Sequence, residues 1–592
     1  MAKRFINDPE DVVPDLMQGL ALDSSRVTLV DPACGHSIAV RSSLAAKAYP
    51  PRVSVVSGGG SGHEPMAGGY VGDGMLAGAV AGAVFASPSI PAISTLLETV
   101  APFSSGIVVI VMNYQGDRLN FGGAVDALKA SNPNCPVNIV VVGDDVALPG
   151  NSEPRGIAGT IFVIKVACAA ADDGRPMKEV VKIAETASKS VVSYGVALEP
   201  CTIPGHTVDT ERLGHNEYEC GMGIHGEGGV EKQVFPKNAM SSFTSDVVTT
   251  ICTHLDVALQ EKLKQTSTCS ALAVMVNNLG AVPTTEMLIV RKAVADFLFS
   301  KGAPVFNGQT YKSHMFEGLF MTSLQMVGIS ISCFMLPCDD GDMERLLHTS
   351  TAVDAWDCGF PLLPSSERRV IPAPSSRTSL EANKSTKRTG LDPGTKMNIS
   401  AITASLLDAA EDLATLDRKT GDGDMGDTVK RACNRIRADL DSGAYSAAAG
   451  DPSHLFKLLA VSTGESMGGS SGGFTSIFLD TAAESFNKQP EYSWRAAFAD
   501  ATRAVMKAGG AQLGDRTLVD ALKPAADVLA EGKPLQEAVQ AAHTGYELTK
   551  SMTKAKHGRS SKVRSSELLS HGDPGAYAIY IILNALKNVA RQ

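Results

Sequence analysis

The sequence predicts a multidomain protein: a two-lobed α/β half followed, after a polar linker, by an all-α half. Three observations predict it. Short Val/Ile-rich runs alternate with helical patterns over residues 1–363. A stretch rich in Pro, Ser, Thr and charge occupies 364–396. Beyond it the apolar residues repeat at helical spacing, with no convincing strand.

The elements follow in chain order. Runs at 52–56 (RVSVV), 106–113 (GIVVIVMN) and 137–143 (VNIVVVG) are near-continuous in Val and Ile, as in strands of a parallel sheet buried on both faces. Helical patterns cover 157–171 and 177–190. A second α/β region has a helix at 245–264 and a strand at 271–278, so the half divides near residue 195, into lobes 1–195 and 196–363. The segment 364–396 carries seven basic residues against three acidic ones and almost nothing to bury, which reads as a flexible connector. The remaining 397–592 reads as seven or eight amphipathic helices. No period of 20–50 residues recurs, which excludes a solenoid.

Composition narrows the function. Lys and Arg number 53 and Asp and Glu 63, a formal charge of −10 over 592 residues, so no general attraction to nucleic acid is expected. The 11 Cys are scattered and none forms a C-x-x-C pair, which argues against a disulfide framework or structural zinc and for a reducing compartment. The first residues lack an apolar signal region, no long apolar run offers a membrane span, and the chain ends in ARQ rather than S-K-L. The expectation is a soluble cytoplasmic protein, with a peroxisome-like organelle left open.

The 56 Gly cluster where chemistry is expected. SGGGSGHEP (57–65) follows a buried strand, and strand, Gly-rich turn and helix together make a cradle whose N–H groups meet an anion or a polar small molecule. His63 closes it, at the sheet edge where α/β folds bind ligands. Asp117, in NYQGDRLNF, lies past the next strand; it is either a turn residue or a second titratable group at that edge, suited to proton abstraction. GMGIHGEGG (221–229) matches G-x-G-x-x-G through Gly221, Gly223 and Gly226. The preceding HNEYEC does not read as a buried strand and no helix pattern follows, so the dinucleotide reading fails. What remains is His225 on a permissive backbone.

LDRKTGDGDMGDT packs Asp417, Asp422, Asp424 and Asp427 between two helical patterns. An EF-hand is excluded, because Asp427 stands where Gly is needed and Cys433 where Glu is needed. Such acids repel unless solvated apart or bridged by a cation, and hard oxygen ligands suit Mg²⁺ that also grips phosphate. MGGSSGGFT (467–475) is a Gly/Ser loop without the Lys of a Walker A motif. Further Gly-centred turns occur at 509–522, 557–560 and 571–576. Acid cluster plus phosphate loop argues for Mg-nucleotide binding.

SGGGSGHEP, NYQGDRLNFG, GMGIHGE, GDGDMGDT, GGSSGGF, GDRTLVDAL and HGDPGA, in this order, resemble the single-chain ATP-dependent dihydroxyacetone kinase (glycerone kinase) family across nearly the whole chain outside the linker. The resemblance implies an α/β substrate half and an antiparallel helical barrel with Mg-nucleotide, two ions with ATP, at one end. It implies transfer of the γ-phosphoryl of ATP to dihydroxyacetone held as a hemiaminal on His225. Gly60, Ser61, Gly62 and His63 match the substrate loop, Asp117 an acid beside the attacking hydroxyl, and Asp417, Asp422 and Asp424 the metal-binding acids. Nucleotide contacts map onto Met425, Gly426, Asp427, Thr428, Ser470, Ser471, Gly509, Thr517, Leu518, Arg559, Asp573, Pro574 and Gly575. It also implies a homodimer in which the helical half of one chain faces the substrate half of the other; the acidic charge and the lack of a long apolar run argue in addition for no nucleic-acid or membrane partner.

Two positions depart from the family pattern: Met112 stands where many members have Lys, and Gly228 where Pro is common, which loosens the loop carrying His225. Covalent capture suits so small a substrate, because imidazole addition selects a carbonyl over an alcohol and fixes the hydroxyl for attack. His63 or Asp117 then takes the hydroxyl proton. Glyceraldehyde, whose carbonyl can also engage His225, is a second substrate. The alternatives are a phosphocarrier-dependent kinase, an FAD-AMP lyase side activity forming cyclic FMN, and a non-enzymatic ketose sensor, against which the metal acids argue.

Overall fold

The computed structural model describes residues 4–590 except 47–50, 149–152, 208–211, 236–240, 265–268, 301–304, 307–308, 311, 338–340, 358, 364–366, 368–370, 372–390, 489–492, 558, 564–567 and 569. Most of the connector expected at 364–396 lies outside the described residues. The chain forms two compact units, Met1–Pro372 and Ala373–Gln592.

The first unit holds two sheets. One is built from β1 (Val27–Leu29), β2 (Ser37–Arg41), β3 (Arg52–Ser61), β4 (Gly78–Val84), β5 (Ser104–Met112) and β6 (Val137–Val142), in the order β1-β2-β4-β3-β5-β6. Strands β4, β3, β5 and β6 are parallel, as the Val/Ile runs predict; β1 and β2 extend the sheet antiparallel. Its helices are α1 (Val12–Leu20), α2 (Ser42–Ala45), α3 (Ile90–Val100), α4 (Gln115–Ser131), α5 (Thr160–Asp172) and α6 (Met177–Ser190).

The Gly-rich segment is not a turn leading to a helix. Gly58–Gly60 continue β3, and no α-helix follows until α3. A Cβ on Gly58 would lie 2.5 Å from the Val80 carbonyl oxygen, and one on Gly60 2.7 Å from the Ala86 nitrogen, so these glycines let backbones approach.

The second sheet comprises β7 (Val191–Glu199), β8 (Glu217–Cys220), β9 (Glu231–Val234), β10 (Cys269–Asn278), β13 (Lys312–Gly318), β14 (Val327–Pro337) and β15 (Phe360–Pro361), in the order β15-β13-β10-β14-β7-β8-β9; β11 (Val305–Phe306) and β12 (Gln309–Thr310) make a separate hairpin. Its helices are α7 (Phe243–Leu263), α8 (Thr284–Leu298) and α9 (Asp342–His348). Residue 195 lies inside β7, so the chain crosses between lobes before that strand rather than at 195. Tyr218–Cys220, expected outside any strand, are buried in β8.

The lobes share one core. Helix α5 is buried along its length, and its apolar cluster reaches Val55 and Val108 of the first sheet and Met275 and Phe334 of the second. Each fully buried Ile or Phe of α5 contributes about 1.5–3 kcal/mol.

The second unit is all-helical: α10 (Pro393–Asp408), α11 (Ala410–Thr420), α12 (Met425–Asp441), α13 (Pro452–Ser466), α14 (Gly469–Lys488), α15 (Trp494–Gly509), α16 (Val519–Ala530), α17 (Leu535–Thr549) and α18 (Pro574–Val589). Among the described residues these nine exceed the seven or eight expected, and α10 starts at Pro393, inside the span read as connector. Side chains that accept backbone N–H groups start α10 (Asp392), α13 (Asp451), α15 (Ser493) and α18 (Asp573). Eight helices close into a ring, α10-α12-α13-α14-α15-α16-α17-α18 and back to α10, with α11 packed on α12 and α18. This is an antiparallel helical barrel. Its interior keeps an apolar cavity of about 300 Å³ lined by Leu406, Val429 and Phe474, among others. Among the described residues no helix is long and apolar enough to cross a membrane, and the described cysteines are free.

Candidate functional site

In the first unit the chemistry collects where β3, β5 and the loop after β8 end. His63 follows β3 and is fully buried. Its Nδ1 lies 2.9 Å from the Thr322 carbonyl oxygen. A carbonyl only accepts, so Nδ1 carries the proton and Nε2 presents a lone pair; Nε2 has no hydrogen-bond partner. Burial, then the neighbouring His225, push His63 down to about 3.

His225 stands edge-on to it, ring centroids 4.8 Å apart at 84°. Tyr114 and Phe85 also meet the His225 ring edge-on, at 4.9 and 5.2 Å, and Phe85 stacks on His63 at 4.9 Å. Phe85 has φ 59°, a costly conformation for a bulky residue and one met at functional sites. Asp117 is buried in the first turn of α4. Burial raises its pKa against the opposing effects of a Ser87 hydrogen bond and the charge of His225, and its Oδ1 has no partner. The Tyr114 hydroxyl is likewise buried and unpartnered.

Gly60 and Ser61 end β3, and the Ser61 hydroxyl donates to the Gly82 carbonyl at 2.8 Å rather than facing the histidines. Gly62 donates its N–H to Glu64 at 2.9 Å, and its carbonyl accepts from Leu324 at 2.7 Å. The second lobe thus clamps the loop of the first. Met112 is buried in the core, and no atom stands within 4 Å of a Cβ built on Gly228.

The loop carrying His225 wraps around an acid absent from the sequence reading. Glu227 accepts the His225 backbone N–H at 2.8 Å, and Oε1 lies 3.6 Å from His225 Nδ1. Burial alone would raise its pKa, but the His225 hydrogen bond and charge, with Arg155, bring it down to about 2.

In the second unit, Asp417 lies in the last turn of α11, and Asp422 and Asp424 occupy the turn before α12. Each offers an oxygen, all within 4.8 Å of one another. Asp417 also accepts the Met425 N–H at 3.1 Å, and its pKa is raised by burial and by the two neighbouring acids. These oxygens fit a hard divalent cation such as Mg²⁺. They border a cavity of about 370 Å³.

Four helix N-termini meet that cavity: α12 through Met425 and Thr428, α14 through Ser470 and Ser471, α16 through Leu518 and Val519, and α18 through Pro574 and Gly575. Free N–H groups and aligned dipoles make such ends receptive to anions. MGGSSGGFT is therefore not a loop; Gly469 opens α14. Gly509, Thr517 and Asp573 also line the cavity, whereas Gly426 and Asp427 do not. A Cβ on Gly426 would lie 2.4 Å from the Ala410 carbonyl oxygen, and Asp427 is exposed beside Lys430. Arg559 lies in a short 3-10 helix, its side chain outside the described residues. Burial raises Asp573 to about 6.

Arg516 was missed from sequence. It is fully buried, has φ 58°, lines the cavity and donates to the His571 carbonyl at 2.7 Å, while Nε and Nη1 have no partner. A lone Arg carries no such signal in a sequence.

A Dak1 domain matches residues 19–355 and a DAK2 domain residues 419–588. The chain is 34% identical to the Triokinase/FMN cyclase of Rattus norvegicus and 35% identical to the dihydroxyacetone kinase of Citrobacter freundii, over 99% of each chain in both cases. The crystal structure of the C. freundii dihydroxyacetone kinase in complex with AMP-PNP and Mg²⁺ is similar at a TM-score of 0.61 and 32% identity, over 99% of this chain and 100% of that one.

Proposed function

This chain belongs to the dihydroxyacetone kinase family, and we propose that it transfers the γ-phosphoryl group of ATP to dihydroxyacetone, giving dihydroxyacetone phosphate. The observation that carries the reading is the facing pair His63 and His225, set among the unpartnered polar atoms of Tyr114 and Asp117. Such a cluster suits a small polyhydroxylated carbonyl compound better than an apolar ligand.

His225 supplies the covalent hold. Its Nε2 lone pair forms a C–N bond to the carbonyl carbon. The carbonyl π pair moves to oxygen, which takes a proton from water and leaves hydroxide to the solvent, and the ring, still protonated on Nδ1, carries the positive charge. Asp117 accepts the proton of a terminal hydroxyl. The hydroxyl oxygen attacks the γ-phosphorus, and the bond to the bridging oxygen breaks to release ADP. Asp117 suits the base better than His63, since burial raises its pKa above the ordinary carboxylate value while that of His63 falls to about 3. His63 Nε2 then accepts a hydrogen bond from substrate.

Asp417, Asp422 and Asp424 would hold Mg²⁺, two ions with ATP in this reading. Bound there, the metal neutralises phosphate charge. The residues at the four helix N-termini, with Gly509, Thr517, Asp573 and Arg559, orient the nucleotide. A homodimer brings the helical half of one chain to the substrate half of the other, and the free thiols suit the cytoplasm. The test is a coupled assay of ATP turnover with dihydroxyacetone, glyceraldehyde and glycerol. Turnover with both carbonyl compounds and not with glycerol is expected; no turnover with dihydroxyacetone ends the proposal.

A second activity at the nucleotide site, cleavage of FAD to AMP and cyclic FMN, is supported by the 34% identity to a Triokinase/FMN cyclase. Incubation with FAD and a divalent metal tests it; intact FAD would dismiss it.

A further inference from the structure

We infer that Glu227 is a positioning residue for the covalent step: its carboxylate, braced by Arg155 and Asp145, holds the Nδ1 edge of His225 and turns Nε2 toward the substrate carbonyl. The inference rests on the reading of His225 as the nucleophile.

The geometry is that of a relay. Arg155 is buried and donates through Nε to Asp145 at 2.8 Å and through Nη2 to the Gly221 carbonyl at 2.7 Å. It is thereby fixed to the start of the loop that carries His225. Its Nη1, which has no hydrogen-bond partner, lies 3.7 Å from Glu227 Oε1. Glu227 in turn holds the His225 backbone N–H with one oxygen and faces the ring Nδ1 at 3.6 Å with the other. One guanidinium between two carboxylates leaves net negative charge beside the imidazole. That charge complements the positive charge the ring acquires when Nε2 adds to a carbonyl, and the 3.6 Å contact shortens as that charge develops.

Gly223 is part of the device. A Cβ there would lie 2.0 Å from the Glu227 carboxyl carbon, and φ at Gly223 is not left-handed. The middle glycine of the G-x-G-x-x-G pattern thus makes room for an acid rather than for a nucleotide.

The experiment uses the full-length protein with [2-¹³C]dihydroxyacetone and ¹⁵N-histidine labelling. In the wild type a bound sp³ carbon signal and a His225 protonated on Nδ1 are expected. Glu227→Gln keeps the backbone hydrogen bond but removes the charge. It should lower the adduct population and kcat/KM for dihydroxyacetone by roughly tenfold or more, the scale at which orienting partners of histidine act. It should also mix the His225 tautomers while leaving nucleotide affinity unchanged. Gly223→Ala, which displaces the carboxylate without removing it, should do the same. If either variant fails to fold, Arg155→Lys should give an intermediate loss. A wild-type adduct signal with unchanged tautomer and adduct population in Glu227→Gln overturns this inference alone. No adduct signal in the wild type overturns the covalent reading beneath it.

Discussion

His63 meets His225 edge-on at 4.8 Å, and that proximity, added to burial, holds His63 at about 3. His63 is therefore neutral at every pH where the fold is expected to work, and its titration leaves no mark on the pH profile. In the proposed mechanism the acid limb of kcat/KM belongs to Asp117, whose folded pKa lies above its ordinary 3.8. Activity is present above that raised value and falls as pH drops through it. Asp117→Asn should cost about 10²–10⁴-fold, the usual contribution of a general base, and remove the limb. His63→Asn should lower the rate and leave the limb in place. Steady-state kinetics across pH 4–8 checks both.

On the covalent reading, His225→Ala should reduce kcat/KM for dihydroxyacetone by at least about 100-fold, because the substrate would lose its tether. The ratio of dihydroxyacetone to glycerol turnover should collapse with it. Equal selectivity before and after the substitution would show that recognition does not pass through a carbonyl adduct.

Asp422→Ala takes one oxygen from the cluster within 4.8 Å. Magnesium-dependent ATP binding should disappear in calorimetry, and chelation of the metal should have the same effect on the wild type. Dihydroxyacetone binding, proposed for the other unit, should persist.

If the proposed homodimer forms, mixing His225→Ala with Asp422→Ala chains after reversible dissociation should restore activity, since each mixed dimer would contain one intact pairing of substrate half and helical half. Two inactive parents that remain inactive when mixed would place both sites within a single chain.

Gly545 lies against the first turn of α16, which borders the cavity proposed to hold the nucleotide. A Cβ there would sit 1.8 Å from the Asp520 carbonyl oxygen, and Asp520 holds the N–H groups of Gly514 at 2.6 Å and Thr517 at 2.8 Å. Gly545→Ala should push α17 from α16, cost about 1–3 kcal/mol by overpacking and weaken ATP binding. Thermal melting and calorimetry follow the two effects.

What was legible in the sequence was whatever repeats or clusters along it. Ile107–Val111 announce a buried strand because sheet interiors select Val and Ile. Asp417, Asp422 and Asp424 announce a cluster of carboxylates, gathered within 4.8 Å, because they lie only a few residues apart. Gly58–Gly60 misled: glycine reads as a turn by propensity, whereas close packing against Val80 and Ala86 keeps it in β3. Ser470 and Ser471 read as loop for the same reason and open a helix instead. Phe85, Tyr114, Arg155 and Arg516 were silent. They come from distant parts of the chain, and their roles arise only from whom they meet.

The order in which the ring closes has a consequence for biosynthesis. Helix α18 packs against both α17 and α10, so the circle stays open until the segment Pro574–Val589 has left the ribosome. Its first residues are also a wall of the cavity beside the acid cluster. A nascent chain can thus fold its first unit early, while the cavity of the second waits for α18, and on the proposed function a stop codon just ahead of Asp573 would leave a protein able to capture sugar and unable to phosphorylate it.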